Sequence, residues 1–183
     1  MSVRRILGID PGLRTTGYGV IEAAGGGLRL VEGGVLQPNP ALALEQRLVQ
    51  LHDGIVEVLR ATRPHRMVVE ELWTAYAHPQ TAVLMGHARG VLTFAAGASG
   101  VPVEHLAHTV VKRALAGSGA ARKAQVKSMV VQLLGLAAAP EPDDVSDALA
   151  LAIAFANVEA QRGRFAELGV VMPQRRSRAP RLA

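Results

Sequence analysis

The feature that most constrains the fold is a short apolar segment near the N-terminus that ends in an acid. Residues 3–9 read Val-Arg-Arg-Ile-Leu-Gly-Ile and are followed by Asp10, Pro11 and Gly12. A run of this length before a Pro-Gly turn is typical of a core β-strand and is too short for the core of a signal peptide. The pattern therefore predicts a sheet in which a core strand carries a carboxylate at its C-terminal end.

The rest of the chain alternates between strand and helix patterns. Residues 18–24 and 28–36 are predicted strands, and Gly25-Gly26-Gly27 between them supplies the positive φ angles of a hairpin turn. The later predicted elements are a helix over 41–63 that stops at Pro64, a strand over 67–69 that ends at Glu70, a helix over 79–98, a strand over 101–106, and helices near 109–116, over 122–135 and from about 143 to 161.

This order of elements predicts an α/β fold. Three antiparallel strands come first, parallel strands follow, and helices flank a five-stranded mixed sheet. The chain has 183 residues, which is enough for one sizeable core, so we expect a single domain over residues 1–162. The ends of the strands in such a sheet are where ligands usually bind.

The charge of the chain is concentrated at its C-terminal end. The formal net charge is +5, but residues 163–183 hold five arginines against one acid. We expect this segment to be a flexible basic tail, and the global charge is therefore weak support for a nucleic-acid partner. The only lysines, Lys112, Lys123 and Lys127, share one short window and are better candidates for phosphate contacts.

Composition excludes several classes of protein. The sequence contains no cysteine, so disulfides and thiolate metal sites are excluded, and the six histidines show no spacing that suggests a metal site. No apolar run approaches the ~20 residues of a membrane-spanning helix. We therefore expect a cytoplasmic protein without a membrane partner.

Four acids stand where chemistry is expected. Asp10 and Glu70 each end a predicted core strand, and Asp144 and Asp147 are spaced i, i+3 near a helix start. Taken singly, each has an ordinary alternative: Asp10 as a turn former, Glu70 as a solvated strand end, and the Asp144/Asp147 pair as a helix cap.

Taken together, the four carboxylates predict a divalent metal site. Carboxylates that crowd at one edge of a sheet repel one another unless cations neutralise them. Mg²⁺ and Mn²⁺ prefer oxygen ligands, and two such ions roughly 4 Å apart can activate a water and stabilise the leaving oxygen in phosphodiester cleavage. The sequence thus favours a two-metal nuclease that uses Mg²⁺, for which Mn²⁺ can substitute.

At this point the sequence resembles a known family. The segment from Gly8 to Val20 (GIDPGLRTTGYGV) resembles the opening signature of RuvC-type Holliday junction resolvases, whose fold is ribonuclease H-like. Further segments resemble later blocks of the family in the family's order: Val69-Glu70 after Pro64, Gly86 with Ala88-Arg89-Gly90, Val111-Lys112, Lys123-Ala124-Gln125-Val126, and Asp144 to Ala150. The matches span roughly residues 6–155.

The resemblance implies roles for these residues. Asp10, Glu70, Asp144 and Asp147 would be the metal-binding catalytic residues of an endonuclease that cuts two opposing strands of a four-way DNA junction during recombination and repair. It also implies a homodimer, with a branch-migration helicase complex as partner. Lys112 and Lys123 would lie near the scissile phosphate.

Further DNA contacts follow from the same resemblance. We expect Arg89 to bind DNA and Trp73 to stack on an unpaired base where the family usually has Phe, with Tyr76 sharing that role. The interval from Glu70 to Gly86 is one residue longer than the usual pattern. This leaves open that Glu71, and not Glu70, points into the site.

Three other functions compete with this interpretation. A Gly-Ile-Asp-x-Gly segment before a hairpin also occurs in actin-like nucleotide-binding folds, although these need a second lobe and give the Asp144/Asp147 helix no role. The second alternative is a ribonuclease H-like enzyme that acts on RNA. The third is a junction-binding module without catalysis, against which the retention of all four acids argues.

Overall fold

The computed structural model describes residues 3–71 and 79–167. In chain order its elements are β1 (Arg4–Asp10), β2 (Thr16–Ala24), β3 (Gly27–Leu36), α1 (Leu44–Thr62), β4 (Arg66–Glu70), α2 (Pro79–Ala98), β5 (Val103–Leu106), α3 (His108–Ala116), α4 (Lys123–Leu134) and α5 (Asp143–Glu167).

The five strands form one mixed sheet in the order β3-β2-β1-β4-β5. The β1–β2 and β2–β3 pairs are antiparallel, and β4 and β5 add in parallel to the other side of β1. The predicted α/β class and strand arrangement are therefore confirmed. The hairpin turn is also as expected, since Gly25 and Gly26 have φ values of 58° and 86°, whereas Gly27 belongs to β3.

Side chains that alternate along the strands divide the core into two parts. On one face, Ile6, Ile21 and Val68 pack in a cluster with apolar residues of α3, α4 and α5. On the other face, Leu7 and neighbouring residues of the sheet pack against α1 and α2. Because successive residues of a strand point to opposite faces, the sheet is covered by helices on both sides.

Helix α5 lies unusually close to the sheet because glycines face it. A Cβ atom at Gly8 would collide with the carbonyl oxygen of Ala148, and a Cβ atom at Gly17 would collide with the backbone of Asp144. Without side chains at these strand positions, the helix backbone rests directly on β1 and β2. This close packing fixes where the first turns of α5 stand above the sheet.

Several predicted boundaries differ from the structure, among them the start of α1, which is Leu44 and not residue 41, and the start of β2, which is Thr16 and not residue 18. Strand β5 begins at Val103 and not at residue 101, because the amide of Val101 donates to Ala96 O and closes the turn that follows α2. Helix α5 continues to Glu167, six residues beyond its predicted end and into the segment expected to be flexible. The remainder of the tail lies outside the described residues. None of the described helices has the length and apolar character that crossing a bilayer requires.

Candidate active site

The sheet brings Asp10 and Glu70 to the same edge and the same face. Strands β1 and β4 are parallel neighbours in which Ile9 pairs with Val69, so the next residue of each strand stands side by side. Asp10 is in phase with Ile6, and Glu70 is in phase with Val68, both of which face α5. The strand pattern alone thus directs both carboxylates toward the N-terminal end of α5.

Helix α5 supplies the other two carboxylates. Asp144 and Asp147 lie one turn apart in its first two turns, and both are half-buried. Val145 and Ser146, which lie between the two acids in sequence, are buried, so this turn of the helix is fixed by packing. The hydroxyl of Ser146 donates to Pro140 O at 2.9 Å, which ties the preceding loop to the helix.

Three of the four predicted acids line one cavity of about 180 Å³. The charged and titratable side chains around it are Asp10, Glu70, His108, Lys112, Lys123 and Asp147. Asp144 borders a neighbouring cleft instead, although its carboxylate is close enough to raise the pKa of Asp10. The structure therefore brings the four acids and both predicted lysines into one region.

The electrostatic state of Asp10 reflects this crowding. Its pKa is raised from 3.8 to about 7, mainly by burial and then by the nearby negative charges of Asp147, Asp144 and Glu70, and Lys123 opposes the shift. A carboxylate in this position is costly to ionise without a compensating cation. The raised pKa of Asp10 therefore reflects first the burial of its carboxyl group and then the negative charge around it.

Basic side chains partly neutralise the acids. Lys123 Nζ donates to Asp147 Oδ2 at 2.7 Å and lies 3.4 Å from Asp143 Oδ2, and the pKa of Lys123 is raised chiefly by its hydrogen bond to Asp147. His108 Nδ1 lies 2.6 Å from Glu70 Oε1. Lys127 donates to Asp143 and lowers the pKa of that carboxyl.

The donor chemistry of the cluster fits a hard divalent cation. Within residues 3–71 and 79–167, no three carboxylates or imidazoles are already gathered into a coordination set. The ammonium of Lys123 contacts Asp147, which shows that positive charge is favoured beside the acids, and the imidazole of His108 contacts Glu70. The acids supply only oxygen donors, which suit Mg²⁺ or Mn²⁺.

Arg89 contacts the protein beside the site. From α2, its guanidinium donates to the carbonyl oxygen of Glu70, and one of its nitrogens lies 2.6 Å from His105 Nδ1. Burial, followed by the charge of Arg89, lowers the pKa of His105. These contacts hold the end of β4, and the DNA contact expected of Arg89 stays a prediction.

Glu70 and Glu71 occupy different environments at the end of β4. Glu70 lines the cavity, whereas Glu71 is exposed and its amide donates to Leu106 O at the end of β5. Trp73 and Tyr76, expected to contact DNA, lie outside the described residues.

Three contributors to the site were not identified from the sequence. His108 was not assigned to the cavity, Asp143 was not recognised as a partner of Lys123 and Lys127, and Gly17 had no assigned role. The strand alternation could have indicated Gly17, because it shares a face with Gly19 and Ile21 of β2. Nothing in the sequence marks the pairing of His108 with Glu70.

Comparisons with known proteins agree on one family. A family model described as crossover junction endodeoxyribonuclease RuvC matches residues 6–155. A relative of that name from Rhodopirellula baltica is 47% identical over 148 residues, which cover 81% of this chain and 83% of the relative. The structure of Thermus thermophilus RuvC is similar at a TM-score of 0.77 and 36% identity, covering 93% of this chain and 99% of that one.

A second solved structure is that of T. thermophilus RuvC in complex with Holliday junction substrate. It is similar at a TM-score of 0.76 and 34% identity, again covering 93% of this chain and 99% of that one.

Proposed function

This chain belongs to the family of RuvC crossover junction endodeoxyribonucleases, and from this membership we propose that it resolves four-way DNA junctions by cutting two opposing strands. The family match extends over residues 6–155 and therefore includes all four acids of the candidate site. The likeness to a RuvC structure that holds a Holliday junction substrate supports the choice of DNA substrate.

We propose that Asp10, Glu70, Asp144 and Asp147 hold divalent cations, with Mg²⁺ as the metal and Mn²⁺ as a substitute. Bound to these carboxylates, two such ions would supply the Lewis-acid chemistry that phosphodiester cleavage requires. Support for this role comes from one observation above all: burial and three neighbouring carboxylates raise the pKa of Asp10 to about 7. A cation would remove that repulsion.

The lysines of the cavity stabilise the phosphate group of the bound DNA. Lys112 and Lys123 line the same cavity as Asp10, and a lysine ammonium gives point-charge stabilisation to a phosphodiester. Lys123 contacts Asp147, so its charge is present where negative charge accumulates. His108 stands on the other side, against Glu70.

A homodimer would explain cuts in two opposing strands. A two-fold axis between two copies would present one site to each of two strands of a four-way junction. We propose α2 as the contact between the copies, since it exposes Val83 and Phe94, whereas its Ala88 is buried in the core. A branch-migration helicase complex remains the expected partner within the cell.

The competing functions find less support. An actin-like nucleotide-binding protein would leave α5 and its acids without a role, yet these residues lie within the family match. An enzyme that cuts RNA would share the acids, so only the choice of substrate separates it from a resolvase.

Cleavage assays test the proposal. The purified protein would be incubated with a synthetic four-way junction, a linear duplex and an RNA hairpin, each with Mg²⁺ or Mn²⁺. We expect paired, symmetric nicks in the junction, and preferential cutting of RNA would overturn the proposal. Asp10→Asn should reduce cutting by at least about 10³-fold while junction binding persists, since phosphate contacts elsewhere position the DNA. Glu57→Gln, an exposed acid of α1, is the control.

A further inference from the structure

A second basic site borders the carboxylate cluster in a cleft that neither Lys112 nor Lys123 lines. A cleft of about 380 Å³ lies between the turn after β1, helix α1 and the first part of α2. Arg14 of the turn and Arg47 of α1 line this cleft, and Asp144 borders it. The cleft therefore adjoins the acids without being part of the cavity that holds Asp10.

The first arginine, Arg14, is exposed to solvent where it lines the cleft. It lies in the turn between β1 and β2 and is exposed, and within the described residues neither a hydrogen bond nor an ion pair engages it. The turn itself is firmly held. The buried hydroxyl of Thr16 donates to Gly12 O at 2.6 Å and accepts from Gly12 N at 3.1 Å.

Arg47 is the more constrained of the two arginines. One terminal nitrogen donates to Leu13 O at 3.1 Å, which places the guanidinium beneath the turn. Its Nε is buried and has no hydrogen-bond partner among the residues that the structure describes. A buried cationic donor without an acceptor is costly, and an anion bound in the cleft would lower that cost.

We propose that Arg14 and Arg47 form a binding site for a backbone phosphate of the bound DNA, next to the scissile position. This inference rests on the proposed function, and it goes further by stating where the cut strand lies on the protein surface. Four clustered acids repel DNA, so cationic side chains around them favour the approach of a strand. Lys112 and Lys123 line the cavity of Asp10, and the two arginines line the cleft that Asp144 borders.

Salt dependence of junction binding tests the site. Equilibrium binding of a synthetic four-way junction would be measured in EDTA, so that no strand is cut, over a series of salt concentrations. Removing one cationic side chain from a DNA phosphate reduces the slope of log K against log salt concentration by about 0.9. We expect Arg14→Ala to reduce the slope by about one unit and the affinity by roughly 3- to 10-fold, and Arg14→Lys to retain the wild-type slope.

The remaining variants separate phosphate binding from folding. Arg47→Gln should reduce the slope further when combined with Arg14→Ala, with thermal unfolding measured in parallel because Arg47 also holds Leu13 O. Arg60→Ala is the matched control, an exposed arginine near the other end of α1 and about 20 Å away along the helix axis.

Two outcomes are distinguishable. If wild-type protein binds and nicks the junction but Arg14→Ala has the same salt slope as Arg60→Ala, the phosphate site is wrong and the resolvase function stands. If wild-type protein neither binds nor nicks the junction, the proposed function itself fails.

Discussion

The charge of Asp10 is the residue-scale feature on which the candidate site depends. It is half-buried beside three other carboxylates, and its pKa of about 7 is well above the ordinary value of 3.8. In the folded state the proton is therefore held more tightly than in the unfolded chain. The stability that this proton provides is fully present below about pH 4 and is lost as the pH rises through about 7.

The protein without metal should consequently become more stable when this charge is removed. We expect Asp10→Asn to stabilise the protein in EDTA at pH 8 by on the order of 2 kcal/mol, or roughly 4–8 °C in Tm, with little effect at pH 4. Thermal unfolding at the two pH values measures this. Glu57→Gln, which removes an exposed acid, is the control, and equal stability of Asp10→Asn and wild type at pH 8 would contradict the crowding argument.

Arg89 should act on catalysis through Glu70. Its guanidinium holds the carbonyl oxygen of Glu70, so Arg89→Lys should reduce kcat/KM for junction cutting by roughly 10-fold while junction affinity stays within about twofold. Binding and single-turnover cutting, measured side by side with an Arg60→Lys control, distinguish the roles. Weaker binding with an unchanged cutting rate would instead favour the DNA contact that was expected from the sequence.

At the scale of elements, the packing of α5 on the sheet positions the acids. The helix rests on glycines of β1 and β2 and carries Asp144 and Asp147 to the end of strands that carry Asp10 and Glu70. A side chain beneath its first turn would lift the helix and separate the two pairs of acids. The positions of the four acids relative to one another are therefore set by packing contacts that involve no catalytic side chain.

Gly17→Ala tests this packing. The new Cβ would collide with the backbone of Asp144, so we expect a loss of roughly 1–3 kcal/mol in stability and at least about 10-fold in cutting rate. Gly163→Ala is the control, because nothing lies near its Cβ position in the exposed part of α5. That change should leave cutting unaltered and raise stability by up to about 1 kcal/mol. Full activity of Gly17→Ala would show that α5 tolerates displacement.

At the scale of the whole molecule, one copy of the chain offers one cluster of acids at one edge of its sheet. Symmetric cutting of two strands then requires a second copy. Helix α2 is the proposed contact, because its Val83 and Phe94 are 59% and 68% exposed and exposed apolar patches mark interaction surfaces. Burial of this surface between two copies would remove it from water.

A charge on this surface should therefore dissociate the dimer. Val83→Glu is expected to shift the protein from dimer to monomer in light scattering, and to convert paired cuts into single nicks. Val3→Glu, at an exposed valine just before β1, should leave the dimer intact. If Val83→Glu remains dimeric, the contact lies on another surface.

Local sequence patterns were sufficient to predict the helices and strands and to identify the four acids as candidates. Asp10 before Pro-Gly, Glu70 after three apolar residues and the i, i+3 spacing of Asp144 and Asp147 are features of neighbouring residues, and the helix and strand periods are local as well. For that reason the order of the elements and the sheet class were predictable, and the four carboxylates could be named as candidates.

Contacts between distant segments could be decided only by the tertiary structure. The pairing of His108 with Glu70, the hold of Arg89 on the Glu70 carbonyl and the choice of Glu70 over Glu71 depend on the register between β4 and β5 and on the approach of α2 and α3. Such distances arise from the packing of the whole core, and no period or spacing in the chain encodes them. The sequence therefore determined which groups are available, and the fold determined which of them meet.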